Sequence, residues 1–566
     1  MKMRKIQLFL SLIVMVAVLT TSCSQKKLTP LASSLFTANP SPLELVGTKV
    51  PVTINGRFPA KWFDKNASVV VTPVLKYTGG EVLGTPYTYQ GEKVAGNGTV
   101  VNYQNGSAIT LRSEFDYTPA MRKSELFLRF ALSSNGKSIT GFPDIKIADG
   151  VLSTQALANA ATVTPSVAPD AFQRVIKETY DADIMFLIQQ AELRSSELNS
   201  SNLAAWKELV KEAEQNDRKN VDVEVSAYAS PDGGYELNEK LAEKREKNTT
   251  NYLSKEFKKK NVDTEINAKY TAQDWEGFQK LVQASSLQDK DIVLRVLSMY
   301  PDTETREKEI KNISAVYTGL AETILPKLRR SRLIANIEVI GKTDQELQSA
   351  ANSDMSELSV EELLYAANLD GVSKEKVYTY VTQKYPNDYR GWNNLGALFY
   401  ESGQTSKAIQ AFNKANSASS HAPEANVNQA LLSMTDGNLS KAEQLLGNAA
   451  GASSLGEAMG VLYLQKGDYN RAAQSFGEAK TNNAALAQIL TKNYSKAEQT
   501  LNAVKAKDAT TYYLTAIVAA RTNNTSGVAG NLKSALDMGI SASDVLNDIE
   551  FAKFLTNSDI KNMLIR

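Results

Sequence analysis

Cysteine and histidine are almost missing from this chain. Its 566 residues include one of each, Cys23 and His421. One cysteine cannot close a disulfide within the chain, and Cys/His zinc sites lack their ligands. Triads that need a cysteine nucleophile or a placed histidine are excluded as well. His421 sits in Ala-Ser-Ser-His-Ala-Pro, a loop sequence, and reads as a solvated side chain. An excess of charge is also missing, with 63 Lys and Arg against 62 Asp and Glu. Without Lys2, Arg4 and Lys5 of the first 22 residues the balance is 60 to 62, a net charge of −2. Such near-neutrality argues against a nucleic-acid binder, which would carry a strong basic excess. No long hydrophobic run is present either: the apolar stretch 6–19 is too short to span a bilayer comfortably. No catalytic residue, metal site or cofactor is expected. Asp232, Glu236 and Glu239 lie at a turn and the first turn of a helix, where the helix dipole favours acids.

What is present divides into several regions, because 566 residues at 42% hydrophobic content exceed what one core holds. Residues 1–22 read as a secretory signal, with a basic start followed by an apolar run. They end in Leu19-Thr20-Thr21-Ser22-Cys23, which resembles a bacterial lipobox with Thr20 in place of the usual leucine. The resemblance implies lipidation of Cys23, with acyl chains that contribute about 0.8 kcal/mol per buried CH₂. Ser24-Gln25-Lys26-Lys27 lacks the acidic cluster that resembles a surface-export signal in Bacteroidota lipoproteins. An outer-membrane anchor facing the periplasm is therefore expected. Residues 23–42 are expected to form a tether. Residues 43–150 contain short strands such as 50–54, 68–72, 99–103, 109–111 and 126–130, separated by Gly and Asn turns. They are expected to form a β-sandwich. Residues 151–172 are rich in Ala, Thr, Ser and Pro and read as a linker.

The stretch 221–248, VDVEVSAYASPDGGYELNEKLAEKREKN, organises the next domain, 173–342. Val221, Val223, Val225 and Ala227 alternate with polar residues, as a strand requires. Ser230-Pro231-Asp232-Gly233-Gly234 then makes a turn, and a helix follows in which Leu237, Leu241 and Arg245 recur every four residues. An arginine that continues an apolar stripe needs an acceptor, from the protein or from a ligand. Strand, tight turn and N-x-x-L-[SA]-x-x-R, here Asn238, Leu241, Ala242 and Arg245, resemble the core motif of OmpA-like domains that bind peptidoglycan. That family's turn carries an aspartate where this chain has Ser230. Arg329-Arg330-Ser331-Arg332 is similar to the family's N-R-R-V signature without its asparagine. The resemblance implies an α/β sandwich, here with a helical insertion over 274–327. It also implies a peptidoglycan site at Asp232, Asn238, Arg245 and Arg332. Arg245 would take a stem-peptide carboxylate and Asp232 an ammonium. In the other reading Arg245 is structural and pairs with Asp232, Glu224 or a backbone carbonyl.

Residues 343–566 read as helical and repetitive. Trp392, Leu395, Gly396, Phe399, Ala408, Phe412 and Ala415 have the spacing that resembles a tetratricopeptide repeat. A second unit has Ala430, Ala442, Leu446 and Ala449, and a third Gly460, Tyr463, Ala472, Phe476 and Ala479. A helix pair at 357–383 is expected to cap the start. Stacked units present a concave groove, and Trp392 and Tyr463 are the protein-binding candidates. The combined expectation is a multidomain, non-enzymatic scaffold: an N-terminal β-sandwich, a central OmpA-like α/β sandwich and a C-terminal all-α solenoid. It would be lipid-anchored and periplasmic, holding envelope proteins in its groove and contacting peptidoglycan. The alternative is a surface, fimbria-like interaction protein whose degenerate OmpA-like domain binds no peptidoglycan.

Overall fold

A computed structural model describes residues 29–565 apart from 289, 313 and 420, and the side chains of 314–316 are not described. Cys23 and the signal region lie outside the described residues. Within them no helix is long and apolar enough to cross a membrane. The chain divides into two compact units, one of residues 1–169 with 378–566 and the other Asp170–Val377.

The first unit opens with strands. A three-stranded sheet has the order β1 (Phe36–Asn39), β2 (Lys49–Phe58), β7 (Ser107–Asp116). A larger sheet contains β3 (Ala67–Tyr77), β4 (Gly80–Leu83), β5 (Tyr87–Gly91), β6 (Thr99–Val101), β8 (Ser124–Ser134), β9 (Lys137–Ile139) and β10 (Ile145–Gly150). Its main path runs β10-β8-β3-β5-β6. Alternation does the folding work here. In β7 every second residue is buried, and Ile109, Leu111 and Phe115 face Val50, Ile54 and Leu126 in one core. The expected tether is partly sandwich: Leu31 and Phe36 are buried in this core, so the folded body begins well before residue 43.

The same unit holds ten helices paired in sequence, from Tyr389–Glu401 with Thr405–Ala418 to Ala509–Arg521 with Thr525–Asp537. Small residues set the spacing within a pair. A Cβ placed on Gly396 would lie 2.6 Å from the Phe412 ring, and one on Gly460 2.6 Å from the Phe476 ring. Ala408, Ala442, Ala472, Ala497 and Val528 are fully buried at the matching position of the second helix.

The expected linker is not a free connection. Val151, Ser153, Thr154, Gln155, Ala160, Val163, Ser166 and Ala168 are all buried. Ala160 and Val163 belong to the same apolar core as the repeat helices. Sandwich and repeats, expected as separate domains, therefore share one compact unit. Composition could not show this, because small polar residues suit both a solvated linker and a tightly packed strap.

The second unit is built on one sheet in the order β11 (Val175–Met185), β14 (Arg330–Ile340), β12 (Lys219–Tyr228), β13 (Ile266–Thr271). β14 is antiparallel to both neighbours, whereas β12 and β13 are parallel. The long helix Tyr235–Lys260 provides the crossover between them. It packs Leu253 and Phe257 beside Leu203, Trp206 and Val210 of the helix Ser201–Glu214. Five short helices between Trp275 and Leu328 form a second core around Phe278, Val282, Val293 and Leu320. The helix Asp344–Ser353 clusters with this unit, as does Val360–Ala366 of the pair expected at 357–383 to cap the repeats, whereas Lys374–Lys384 crosses the boundary between the units. Arg174 ties them to the sheet by ion-pairing with Asp344 at 2.5 Å.

Candidate functional site

Two places were expected to meet a ligand, the turn at 230–234 and the groove of the repeats. In the turn, Asn238 is 4% exposed and donates from Nδ2 to the carbonyls of Ser230 (2.9 Å) and Gly233 (2.8 Å). It holds the turn closed, and no donor is left over from its amide nitrogen. Asp232 accepts from Arg329 Nη2 at 3.0 Å and from the Ser230 hydroxyl. Arg329 Nε also reaches Ser230 Oγ at 3.2 Å. The Asp232 and Arg329 side chains are 14% and 11% exposed. Lys311, from the helical insertion, donates to the Asp232 carbonyl at 3.0 Å.

Arg245 is fully buried. Its Nε donates to the Gln190 carbonyl at 2.9 Å, Nη1 to Tyr228 at 2.8 Å and Nη2 to Leu187 at 3.2 Å. The guanidinium also lies 4.9 Å from the Phe186 ring centre. Burial lowers its pKa to about 10, the nearby charge of Arg329 adds to the fall and Asp232 opposes it. Of the alternatives for Arg245, the backbone-carbonyl one describes what the side chain touches. The expected stripe through Leu237 is also corrected. Leu237 is 53% exposed, and the buried face runs through Asn238, Ala242, Arg245, Thr249, Leu253 and Phe257. That face puts Arg245 over the chain leaving β11, whose carbonyls have no strand partner.

Arg332 is not brought to the turn. It sits on β14 and pairs with Asp183 at 3.1 Å and Asp181 at 3.5 Å, and its bond to Asp183 raises its pKa. Arg330 pairs with Asp274 at 3.1 Å and lies 4.9 Å from the Tyr228 ring centre. The arginines of 329–332 therefore spend their charge on acidic partners within the chain, Asp232, Asp274, Asp183 and Asp181.

In the repeats, Trp392 and Tyr463 serve the packing between helices. Trp392 is half-buried against Ala415, Ala422 and Ala425 and donates from Nε1 to the Pro386 carbonyl at 3.0 Å. Tyr463 packs on the main core with Arg471 over its ring at 5.6 Å.

Several of the side chains that line the groove are asparagines. Asn483 accepts from the Asn159 N–H at 3.0 Å and donates to the Asn159 carbonyl at 2.8 Å. Asn428 does the same to Ser166, at 2.8 Å in both directions. Asn394 does the same to Ala168, at 2.7 and 3.0 Å. Asn393 adds a bond to the Ser166 carbonyl at 3.0 Å, Tyr400 one to Ala160 at 3.1 Å and Ser454 one to Thr164 at 2.6 Å. The groove is thus filled by residues 159–168 of the same chain, running antiparallel to the order of the repeats. Sequence reasoning missed this ladder, although a signal existed. Asn394, Asn428 and Asn483 each stand fourteen residues before the small anchor of their own repeat, Ala408, Ala442 and Ala497. Asparagine is a poor helix-interior residue, so its recurrence there needs a use.

Just before the ladder, Gln155 bonds to both the N–H and the carbonyl of Gly47, at 2.8 and 3.1 Å, and accepts from Tyr469 at 2.7 Å. Thr154 donates to Glu550, which also accepts from Arg521 at 2.5 Å. A cleft of about 690 Å³ lies between the sandwich and the last helices, lined in part by Lys123, Ser124, Asp149, Asp548 and Leu555. Asp548 accepts from the Tyr513 hydroxyl at 2.6 Å, and burial raises its pKa.

Comparison with known proteins supports the repeats. A tetratricopeptide repeat family model matches residues 389–421, the first helix pair. No curated protein matches the chain by sequence. Among solved structures, a tetratricopeptide repeat protein from Parabacteroides merdae is similar at 14% identity. That match covers 51% of this chain and 98% of the other, at a TM-score of 0.24. A Pseudomonas aeruginosa protein, pilF, is 14% identical over 38% of this chain and all of its own, at a TM-score of 0.26. PilW, a type IV pilus biogenesis factor, is 13% identical over 40% and 99%, at a TM-score of 0.25.

Proposed function

We propose that this chain is a non-enzymatic scaffold of the bacterial envelope, held to the periplasmic face of the outer membrane by lipid on Cys23. Its tetratricopeptide region carries partner proteins, and the match at 389–421 is the observation on which this rests. Helix-pair repeats suit this work because each is a rigid unit that exposes one face for a partner once its neighbours cover the others.

The middle unit is read as an OmpA-like plan put to structural or interaction use, without a cell-wall ligand. What supports this is the pairing within the turn. A stem peptide would need the Asp232 carboxylate for its ammonium and a guanidinium for its carboxylate. Asp232 is already engaged by Arg329 at 3.0 Å, and Arg245 is buried on three carbonyls. Breaking a buried ion pair to admit a ligand leaves its former partner uncompensated, at a cost of about 3–5 kcal/mol.

Sedimentation with purified sacculi tests the reading. The full chain is expected to stay in the supernatant. Sedimentation that Asp232→Ala abolishes would restore the cell-wall function. For the scaffold, crosslinking in cells should capture envelope proteins on residues of the repeat region. Capture confined to the sandwich would overturn that assignment.

A further inference from the structure

The clamps on the strap share one geometry. Asn394, Asn428 and Asn483 each use the amide oxygen to accept from a strap N–H and the amide nitrogen to donate to the carbonyl of the same residue. This is the bonding that a neighbouring β-strand would supply, delivered by side chains from the first, second and fourth helix pairs of the array. These paired bonds use only the backbone of the clamped residue, although Asn483 also donates to the Thr162 hydroxyl at 3.1 Å and the Ser166 hydroxyl accepts from the Ser454 N–H at 3.0 Å. What the groove does select is size: Ala160, Val163, Ser166 and Ala168 are 2% exposed or less. The asparagines themselves are buried, Asn428 completely and Asn394 to 3%, so an empty groove would strand their amides.

The prolines of the strap follow the same rule. Pro165 and Pro169 fall beside the clamped residues and never on them. A proline at 159, 166 or 168 would remove the N–H that an asparagine accepts from. At 165 or 169 it removes nothing the ladder uses, and it favours an extended backbone in the residue before it.

We propose that the asparagine ladder is a peptide-binding site that reads chiefly backbone, with residues 159–168 of this chain as its resident ligand. Its ligand class is an uncharged, extended peptide with small residues at the buried positions and free N–H groups at the clamped ones. The strap fills the site in cis, so partner proteins of the scaffold dock on other faces of the repeats. This refines where the proposed scaffold holds its partners. It stands or falls separately from sacculus binding and partner capture, because both of its tests use the purified chain alone.

The first test is elastase cleavage of the full chain, with cut sites in 159–168 mapped by mass spectrometry. Wild type is expected to be protected there. Ser166→Pro with Ala168→Pro should raise strap cleavage at least tenfold, and Val167→Pro, which removes an N–H the ladder does not use, should leave it near wild type. Equal protection in all three would overturn the proposal. The second test adds a labelled peptide of residues 157–169 and follows its anisotropy. Binding is expected to the double-proline chain but not to wild type, whose site is full. It should be lost when Asn394→Ala, Asn428→Ala and Asn483→Ala are added. If the double-proline chain does not fold, Asn428→Ala alone takes its place in the cleavage test, where unchanged protection would overturn the proposal. A folded double-proline chain that fails to bind the peptide, or a peptide that binds wild type and the triple-alanine chain alike, would do the same.

Discussion

The turn at 230–234 and the groove of the repeats were both expected to receive something from outside, and both are filled from within the chain. The turn is filled by charge. Arg329 covers Asp232, while Arg245 sits fully buried on three carbonyls. The groove is filled by neutral amides, each satisfied by the backbone of residues 159–168. The difference matters for what each site tolerates. A buried charge left alone is expensive and leaves little freedom, because its partner cannot be removed by itself. A neutral amide that bonds backbone tolerates many sequences in its partner, provided that the N–H stays and the side chain is small.

The sharpest way to break this comparison is at Arg245. Arg245→Ala removes a fully buried side chain and strands three carbonyls, and should cost about 3–5 kcal/mol in urea unfolding of the second unit. Arg245→Lys should recover only part of this, since a single ammonium nitrogen cannot reach three carbonyls spaced around a planar guanidinium. A loss under about 1 kcal/mol would mean that the guanidinium is not the keystone of this turn.

Next comes the ladder. Asn428→Ala leaves the Ser166 N–H buried and unpaired, and should cost about 2–3 kcal/mol in unfolding of the first unit. Asn428→Asp keeps the acceptor and loses the donor, and should be no better than alanine at neutral pH because it buries a charge.

A smaller effect is expected at the ion pair of the turn. Asp232→Asn and Arg329→Met should each destabilise by about 1–3 kcal/mol, and the double variant by less than their sum. A double-mutant cycle measures this coupling directly. Additive losses would show that the two side chains do not act as a pair.

The smallest effect is one of pH, and it tests whether the first unit carries buried charge as the second does. Burial raises the pKa of Asp548 above its ordinary value of 3.8. The folded state therefore holds its proton longer than the unfolded state does. The stability linked to this group is present below pH 3.8 and is lost as pH rises through the higher folded value. Asp548→Asn should flatten the pH dependence of first-unit unfolding over that window. A profile identical to wild type would show that Asp548 does not titrate as its burial implies.

Some of this molecule was legible from residue order alone. Alternation marked β12, because a strand with one buried face must place apolar residues at every second position, and short runs between Gly and Asn turns marked β2, β3, β7 and β8. The small-large pattern of Gly396 with Phe412 and Gly460 with Phe476 marked the repeats, because two helices approach closely only where one has no side chain. Arg245 stood out because an arginine in an apolar stripe demands acceptors. The sequence could not say which acceptors, since Leu187 and Gln190 lie more than fifty residues away and offer backbone atoms that every residue possesses. The strap was hidden for the same reason. Ala, Thr, Ser, Val and Pro at 159–168 describe a solvated linker and a clamped one equally well. Residue order alone determined the periodic elements, because periodicity is a local property of side chains. Only the tertiary structure decided what occupies each site, because main-chain hydrogen bonding is the same for all residues and takes its partners from whatever the fold brings near.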